Sequence, residues 1–440
     1  MEHTVHHFSA LIPIVVFLVV YVAITFELVN KAAAVLTGVG VLVVLRVLNE
    51  HQAVGFIDFE TLMLLTGMMI LVSLIKQSGF FTIVSVRIAE FTKGNPIKIL
   101  CLFSVITALM SAFLDNVTTV LIVIPIIIEL TRGMGLNPKN YVLSQVFISN
   151  IGGTATLIGD PPNVIIGSKV GLSFNQFILN LTPVVIPIFI IVLVYIWFIN
   201  RVEFKPINTS MIKLVSVELL LEKIRFEFSN VKINRTLMIK SIACLIIAIL
   251  LFITQTITHV APGIVALGMA MVLLIISKAN VEQVLEEVEW STLLFFTGLF
   301  ILVGALEEYG VIEWIAHNVF MNVGDNPYVI VLMVLWVSGI ASGFLDNIPF
   351  TITMIPIVHL MLESNPIPNN ILWWALALGA CLGGNITMIG SSANIVSIGI
   401  AKKHGVEISF IDFMKRGMII TLISLVLSSI FLLIYLRLSL

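Results

Sequence analysis

The stretch that decides the fold is Phe-Leu-Asp-Asn at residues 113–116, because the same four residues recur at 344–347. The two copies are 231 positions apart. The same spacing relates further identical residues: Gly67 and Gly298, Gly79 and Gly310, Pro125 and Pro356, Gly153 and Gly384, Gly159 and Gly390, and Asn163 and Asn394. No insertion interrupts this match over more than 90 positions. A gapless match of this length indicates an internal duplication, so we predict two structural repeats.

The composition is that of a membrane protein. Of the 440 residues, 59% are hydrophobic and only 11% are charged, and the mean hydropathy is +1.12. Soluble domains carry about 25% charged residues. The net charge of −2 and the lack of basic runs interleaved with aromatic residues argue against a nucleic-acid partner. We therefore expect an integral membrane protein whose main surrounding is lipid.

Apolar segments of membrane-spanning length recur in both halves, and each half is predicted to contain five membrane helices. The first half has segments near 10–29, 32–48, 61–77, 141–172 and 178–200, and the second near 238–257, 261–277, 291–308, 372–402 and 411–436. Each half also has a longer stretch, 97–132 or 328–362, which the Asp-Asn pair interrupts. We predict that each of these stretches is a re-entrant hairpin. An odd number of crossings then inverts the second copy.

The predicted fold is therefore an all-α polytopic membrane protein made of two inverted repeats, with about ten membrane helices, two hairpins and two broken helices. The predicted boundaries are 1–202 for the first repeat, 203–236 for a linker and 237–440 for the second repeat. Within the linker, apolar residues near 213–228 have the spacing of an amphipathic helix on the membrane surface.

The distribution of basic residues gives this arrangement a direction, because lysine and arginine accumulate in cytoplasmic loops. The segment 201–240 contains eight of them, and the five-crossing arrangement places 20 of the 23 on the same side. We therefore expect a cytoplasmic linker and both termini outside, in a prokaryotic plasma membrane. The apolar run at 10–26 has no basic flank, so we interpret it as a retained helix and not as a signal peptide.

Three aspartates are the strongest candidates for chemistry, because ionisable residues in apolar segments are costly and usually functional. Asp115 and Asp346 are related by the repeat, and Asp160 lies in a second apolar segment. The apolar surroundings of Asp115 and Asp346 contain no lysine or arginine, so no ion-pair partner is evident for these two residues. Each aspartate could simply cap the returning helix. A cap alone does not require a buried charge, and we predict ion-binding sites, with Na⁺ among the candidate ions, at Asp115, Asn116, Asp160, Asp346 and Asn347.

A second candidate element is rich in glycine, proline and hydroxyl residues and cannot continue a helix. Its predicted site residues are Gly153, Thr154, Thr156, Gly159, Asp160 and Asn163 in the first copy, and Gly384, Asn385, Thr387, Ser391, Ser392 and Asn394 in the second. Helices interrupted at matching places in two halves are typical of a transporter's binding site. Freed carbonyl and hydroxyl oxygens suit a hard cation such as Na⁺, and helix N-termini could face an anion. A proline kink for packing is the alternative.

The two copies are not identical in the residues that matter for ion binding. Asp160-Pro161-Pro162 becomes Ser391-Ser392-Ala393, and Thr118-Thr119 becomes Pro349-Phe350. The first half therefore has one more carboxylate and more hydroxyls. We include Thr118 and Thr119 among the predicted ion-binding residues and expect the first half to contribute the stronger cation or proton site. The three cysteines, which include Cys381, are far apart in apolar segments, so we interpret them as core residues.

With these motifs, the chain resembles the ArsB/NhaD ion-transporter superfamily and, within it, the P-protein-like permease branch. The resemblance rests on Phe-Leu-Asp-Asn-Val-Thr-Thr-Val at 113–120 and Ile-Gly-Asp-Pro-Pro-Asn-Val at 158–164, and it covers nearly the whole chain. It implies two hairpins and two broken helices that meet at a central site, a homodimer, and elevator-like movement against a scaffold. Related sodium symporters have Ser-Asn-Thr at the hairpin tips, whereas the tips here are Asp-Asn-Val and Asp-Asn-Ile.

The functional hypothesis is secondary active transport of a small inorganic ion, coupled to protons or sodium. Na⁺/H⁺ antiport is preferred, since a titratable aspartate can hold Na⁺ or H⁺ but not both. The alternatives are efflux of arsenite or antimonite, and cation-coupled transport of a citrate-like carboxylate. A passive channel is a further class. An enzyme is not expected, because the Gly-x-Gly-Asp motif of intramembrane aspartyl proteases is absent. We expect no cofactor apart from Na⁺ or H⁺ as the coupling ion.

Overall fold

A computed structural model describes residues 2–25, 28–92, 95–201, 233–320, 326–365, 367–368 and 370–439. Within these ranges the regular secondary structure is helical and no strand is present. Most of the predicted linker, including the proposed surface helix at 213–228, lies outside the described residues.

The helices of the first half are α1 Glu2–Thr25, α2 Lys31–Val44, α3 Glu50–Gly55, α4 Phe59–Gln77, α5 Phe80–Thr92, α6 Pro96–Phe113, α7 Asn116–Gly133, α8 Pro138–Gly153, α9 Pro161–Val170 and α10 Phe174–Ile199. Those of the second half are α11 Arg235–Ile253, α12 Gln255–Thr258, α13 Pro262–Ser277, α14 Val281–Glu286, α15 Trp290–Glu308, α16 Val311–Ile315, α17 Pro327–Phe344, α18 Asn347–Ser364, α19 Ile371–Gly383, α20 Ser392–Lys403 and α21 Phe410–Ser439. A five-residue π-helix, Ala316–Phe320, follows α16.

The two Asp-Asn pairs form the tips of two helical hairpins. We name α6 and α7 the first hairpin, and α17 and α18 the second hairpin; their helix boundaries differ by the repeat spacing. Leu114 and Asp115 are extended, and Asp115 accepts a hydrogen bond from the backbone N–H of Thr118. Asp346 accepts one from the N–H of Ile348. Both aspartates therefore cap the returning helix, and the two arms of each hairpin contact each other.

Each Gly-rich element breaks a helix at the predicted place. We name α8 and α9 the first broken helix, and α19 and α20 the second broken helix. The first break is residues 154–160, and Pro161 starts the next helix at a position where its missing N–H costs nothing. Glycine is needed here because a Cβ on Gly153 would lie 2.6 Å from the carbonyl oxygen of Gly159.

The broken helices form the centre of the molecule. Every residue of α19 is buried, including Trp373 and Trp374. The same holds for nearly all of α8. The outer helices instead expose large apolar side chains such as Val44, Leu179 and Ile275, as expected for a surface that contacts lipid. The core is thus built around the interrupted segments, where irregular backbone is protected from lipid by protein.

Within the described ranges, eight helices are long and apolar enough to cross a membrane: α4, α6, α7, α10, α11, α15, α17 and α21. The prediction of an all-α polytopic membrane protein is therefore confirmed. The number of crossings in each half and the inversion of the second copy stay predictions. Short helices such as α3, α14 and α16 were not predicted, because segments of five or six residues are too short to show a period.

The close packing of α4 on α13 provides a test of the fold. A Cβ on Gly67 would lie 2.4 Å from the backbone of Ala266, whereas a Cβ on Gly268 would meet no atom within 4 Å. We expect Gly67→Ala to lower the stability of the purified protein by about 1–3 kcal/mol, the usual cost of overpacking. Gly268→Ala is the matched control and should leave the melting temperature unchanged or raise it, since alanine favours helix. Equal melting temperatures for the two variants would contradict this packing.

Candidate functional site

The two hairpin tips meet at one carboxylate. Oδ1 of Asp160 accepts a hydrogen bond from Nδ2 of Asn116 at 3.2 Å and another from Nδ2 of Asn347 at 3.3 Å. Asp160 is completely buried in the break of the first broken helix. Its second oxygen, Oδ2, has no hydrogen-bond partner among the described residues. The structure thus brings three of the predicted site residues together and leaves one buried carboxylate oxygen without an N–H or O–H donor among the described residues.

Asn150, at the end of α8, links this carboxylate centre to the second broken helix. Its Oδ1 accepts from Nδ2 of Asn116 at 3.1 Å. Its Nδ2 donates to Oδ1 of Asn385 at 2.8 Å and to Oδ1 of Asn394 at 2.9 Å. These contacts join residues of both halves through buried amides, so the two breaks form one connected network.

The freed carbonyls of each break are held by an equivalent asparagine. Nδ2 of Asn163 donates to the carbonyl oxygens of Thr154 at 3.1 Å and Thr156 at 2.8 Å. Nδ2 of Asn394 donates to those of Gly384 at 2.7 Å and Thr387 at 2.9 Å. Buried backbone groups outside a regular helix need such partners. These two residues therefore act first as clamps on the irregular backbone.

Hydroxyl groups fasten each break to its neighbouring hairpin arm. The hydroxyl of Thr156 donates to the carbonyl oxygen of Ala112. Thr387 makes the equivalent bond to Gly343 at 2.6 Å. Thr119 is buried, its hydroxyl has no partner among the described residues, and it does not line the cavity described next. The structure thus separates hydroxyls that hold the backbone from polar groups that face open space.

A cavity of about 360 Å³ lies at the hairpin tips. The predicted site residues that line it are Asp115, Asn116, Asp160, Asn347, Ser391 and Ser392. The helices α7, α9, α18 and α20 begin at or next to these residues, so four positive helix ends converge on the cavity. Two charged residues outside the predicted set, Lys31 and Glu289, also line it.

The expectation that no lysine or arginine accompanies the aspartates is wrong for Asp346. Nζ of Lys31 lies 2.6 Å from Oδ2 of Asp346. Lys31 is the first residue of α2, far from Asp346 in the sequence, and the folded chain brings it to the tip of the second hairpin. Lys31 is one of the 20 basic residues predicted on the cytoplasmic side. It lies between two apolar runs, and a loop lysine has the same sequence pattern as a lysine that reaches a buried carboxylate.

The tip of the first hairpin has a different environment. The carboxylate of Asp115 accepts from the N–H of Thr118 at 2.7 Å and from its hydroxyl at 2.5 Å. Glu289 lines the same cavity and places a second carboxyl group near Asp115. Glu289 was not predicted, although it lies just before an apolar helix and at the repeat position of Asp58, the residue that caps α4.

We had interpreted Cys381 as a core residue. The structure shows that it is buried and also contacts residues of the site. It occupies the repeat position of Asn150, and its thiol donates to Oδ1 of Asn163 at 3.4 Å. The thiol also lies close to Asp160. The repeat spacing was the available indication of this role, because it pairs Cys381 with a residue of the Gly-rich motif.

Comparison with known proteins identifies the family. The profile of the citrate transporter family matches residues 21–379. The chain therefore belongs to the citrate transporter family. A 46 kDa membrane protein of Mycobacterium leprae is 40% identical over 429 residues, covering 96% of this chain and 98% of the relative. An uncharacterized transporter of Mycobacterium bovis is 38% identical over the same length.

The P protein of Sus scrofa is 36% identical over 474 residues, which cover 90% of this chain and 56% of that protein. The resemblance to P-protein-like permeases is therefore confirmed, and this member of the citrate transporter family is a membrane transporter. The Asp-Asn pairs therefore form the hairpin tips of a protein that moves a solute. The cavity at these tips is the candidate binding site for that solute.

The clamp made by Asn163 is open to a direct test. Asn163→Asp would place a carboxylate oxygen against the carbonyls of Thr154 and Thr156, whereas Asn163→Ala only leaves them unpaired. We expect both variants to be less stable, by about 1–3 kcal/mol for the alanine variant and by more for the aspartate variant. Thermal unfolding of the purified protein measures this order. An aspartate variant as stable as the parent protein would show that the carbonyls do not depend on the Asn163 amide.

Proposed function

We propose that this transporter couples solute movement to the binding of H⁺ or Na⁺ at Asp160. The observation that carries the proposal is the hydrogen bonding of this carboxylate. One oxygen is held by both hairpin tips, and the other is buried without a partner among the described residues. A buried charge in this situation is costly. Binding of a proton or a cation at Oδ2 removes the cost, so Asp160 is the expected coupling carboxylate.

The same contacts suggest how binding is linked to movement. Asn116 and Asn347 donate to Asp160, and hydrogen bonds to a charged acceptor are roughly twice as strong as those to a neutral one. Neutralisation of Asp160 therefore loosens both hairpin tips together. We infer that the tips release the cavity when the cation is bound, and that the hairpins and broken helices then move against the remaining helices in an elevator-like step.

Competition at a single carboxylate favours Na⁺/H⁺ antiport as the simplest cycle. A proton requires only the free Oδ2 of Asp160, and Na⁺ would use the same oxygen together with polar groups that line the cavity, such as Ser391. Because the two ions exclude each other at that oxygen, each would leave before the other binds. We extend the proposal to a homodimer with a cytoplasmic linker, as expected from the resemblance and from the basic residues.

A second candidate is cation-coupled transport of a citrate-like carboxylate. Lys31 and four helix N-termini at the cavity favour an anion, and the volume of about 360 Å³ suits a small organic solute. The family profile, which is that of a citrate transporter, points in the same direction. In this case the cation bound at Asp160 would cross the membrane together with the organic anion, and no exchange of Na⁺ for H⁺ would be needed.

Replacement of Asp160 tests cation coupling in both candidate functions, Na⁺/H⁺ antiport and carboxylate transport. We expect Asp160→Asn to lower coupled flux in proteoliposomes by at least about 100-fold, the effect of losing roughly 2.7 kcal/mol of cation binding. Asp412→Asn is the control, because this carboxylate pairs with Lys139 away from the cavity and such pairs contribute little. Unchanged coupling in a folded Asp160→Asn protein would refute the proposal.

The two candidates are separated by the solute that moves. Proteoliposomes under an imposed pH or Na⁺ gradient would be tested with Na⁺, Li⁺, citrate and succinate. Antiport predicts Na⁺ movement against protons with no organic anion present. The carboxylate version predicts labelled citrate uptake that depends on the gradient, with no Na⁺/H⁺ exchange in its absence.

A further inference from the structure

The ion pair between Lys31 and Asp346 joins the start of α2 to the tip of the second hairpin. Lys31 begins α2, which packs on α15, with Val35 against Gly298. Asp346 caps the second hairpin, which packs on the second broken helix through Gly339 and Gly383. Nζ and Oδ2 are 2.6 Å apart, and Asp346 is only 4% exposed. A movement of the hairpins against the other helices would therefore have to break this bond.

The sequence at the tip explains why Asp346 needs Lys31. In the first hairpin, Thr118 fills both oxygens of Asp115 with its N–H and its hydroxyl. The repeat position of Thr118 is Pro349, which has neither group. Asp346 therefore receives only the N–H of Ile348 from its own helix, at Oδ1. Its Oδ2 has the Lys31 ammonium and a longer contact of 3.5 Å from the hydroxyl of Ser392.

Among the described residues, no lysine or arginine other than Lys31 lines the cavity or forms a salt bridge with Asp346. The titratable neighbours are Tyr21 of α1, Asp160 before α9, and Glu289, which lines the same cavity as Lys31. None of these is cationic. A nearly buried carboxylate that loses its partner is strongly destabilised. When Lys31 withdraws, a cation from solution is the remaining group that can take its place.

We propose that Lys31 is a tethered substitute for the coupling cation. It occupies Oδ2 of Asp346 while the site is empty, and a bound cation displaces it. This inference rests on the proposed cation coupling and adds a second carboxylate and a built-in competitor to it. The ammonium holds the empty hairpin against α2, and its displacement by a cation frees the hairpin to move.

If Lys31 competes with the cation, removing Lys31 changes the cation affinity in a direction that a purely structural ion pair would not produce. Removal of Lys31 should raise the affinity for the cation, because the cation no longer has to displace the ammonium. We expect Lys31→Met to lower the half-saturating cation concentration about tenfold, the effect of removing one charge-assisted hydrogen bond. Lys31→Arg retains a competing charge and should not lower it. Lys169→Met, at a lysine that packs over Phe300 in a different cavity, is the matched control and should not change it.

The measurement is the melting temperature of the purified full-length protein as a function of Na⁺, Li⁺ or proton concentration at constant ionic strength, since a ligand of the folded state raises it. The coupling cation is the one that stabilises the parent protein but not Asp160→Asn. If no cation does so, the proposed function fails. If one does so but Lys31→Met leaves its midpoint unchanged or raises it, the coupling stands and the competition is refuted.

A double-mutant cycle covers the case in which Lys31→Met does not fold. Asp346→Asn removes the carboxylate for which the two cations compete, so the pair Lys31→Met/Asp346→Asn has neither buried charge. We expect the midpoint of this double variant to equal that of Asp346→Asn alone. A tenfold difference between these two proteins would mean that Lys31 acts through some group other than Asp346, which overturns the proposal.

Discussion

The hydrogen bonds that Asn116 and Asn347 donate to one oxygen of Asp160 are the constraint on which the rest of the structure depends. They require both hairpin tips to reach the same buried point, so each hairpin must end at the level of the break in α8–α9. The break must in turn place a carboxylate at that point. This is possible only because glycine, proline and two clamping asparagines hold the irregular backbone. Architecture and site are therefore one arrangement, in which the interrupted helices are stabilised by the contacts that form the cavity.

Much of this arrangement could be predicted from the sequence, because the repeat spacing and the apolar segments are strong local patterns. The hairpin tips at Asp115 and Asp346 and the breaks after Gly153 and Gly383 lie where they were predicted. Lys31 and Glu289 could not be found in the same way. Each lies at the start of a helix outside the hairpins and broken helices, and only the tertiary packing of α2 and α15 brings them to the tips. Distances between elements far apart in the chain leave no periodic trace in one sequence.

The predicted site residues also turn out to have two physical roles. One group donates hydrogen bonds to backbone carbonyls and holds the breaks: Thr156, Thr387, Asn163 and Asn394. The other group lines the cavity: Asp160, Asn116 and Asn347. The sequence does not distinguish the two groups, because both roles require polar residues at breaks in apolar helices. The family assignment supplies the class of activity, and the charges at the cavity supply the argument for cation coupling.

The backbone clamps are the same residue types in both copies, but three of the groups in and around the carboxylate centre are not. Thr118 corresponds to Pro349, Asn150 to Cys381 and Asp160 to Ser391, while Asn163 and Asn394 or Thr156 and Thr387 are identical pairs. If transport exchanged the shapes of the two halves, the backbone would return to an equivalent geometry with a different pattern of charge. The two end states of such a cycle would then differ in energy even with equal solutions on both sides, so the resting carrier would face one side of the membrane in preference to the other.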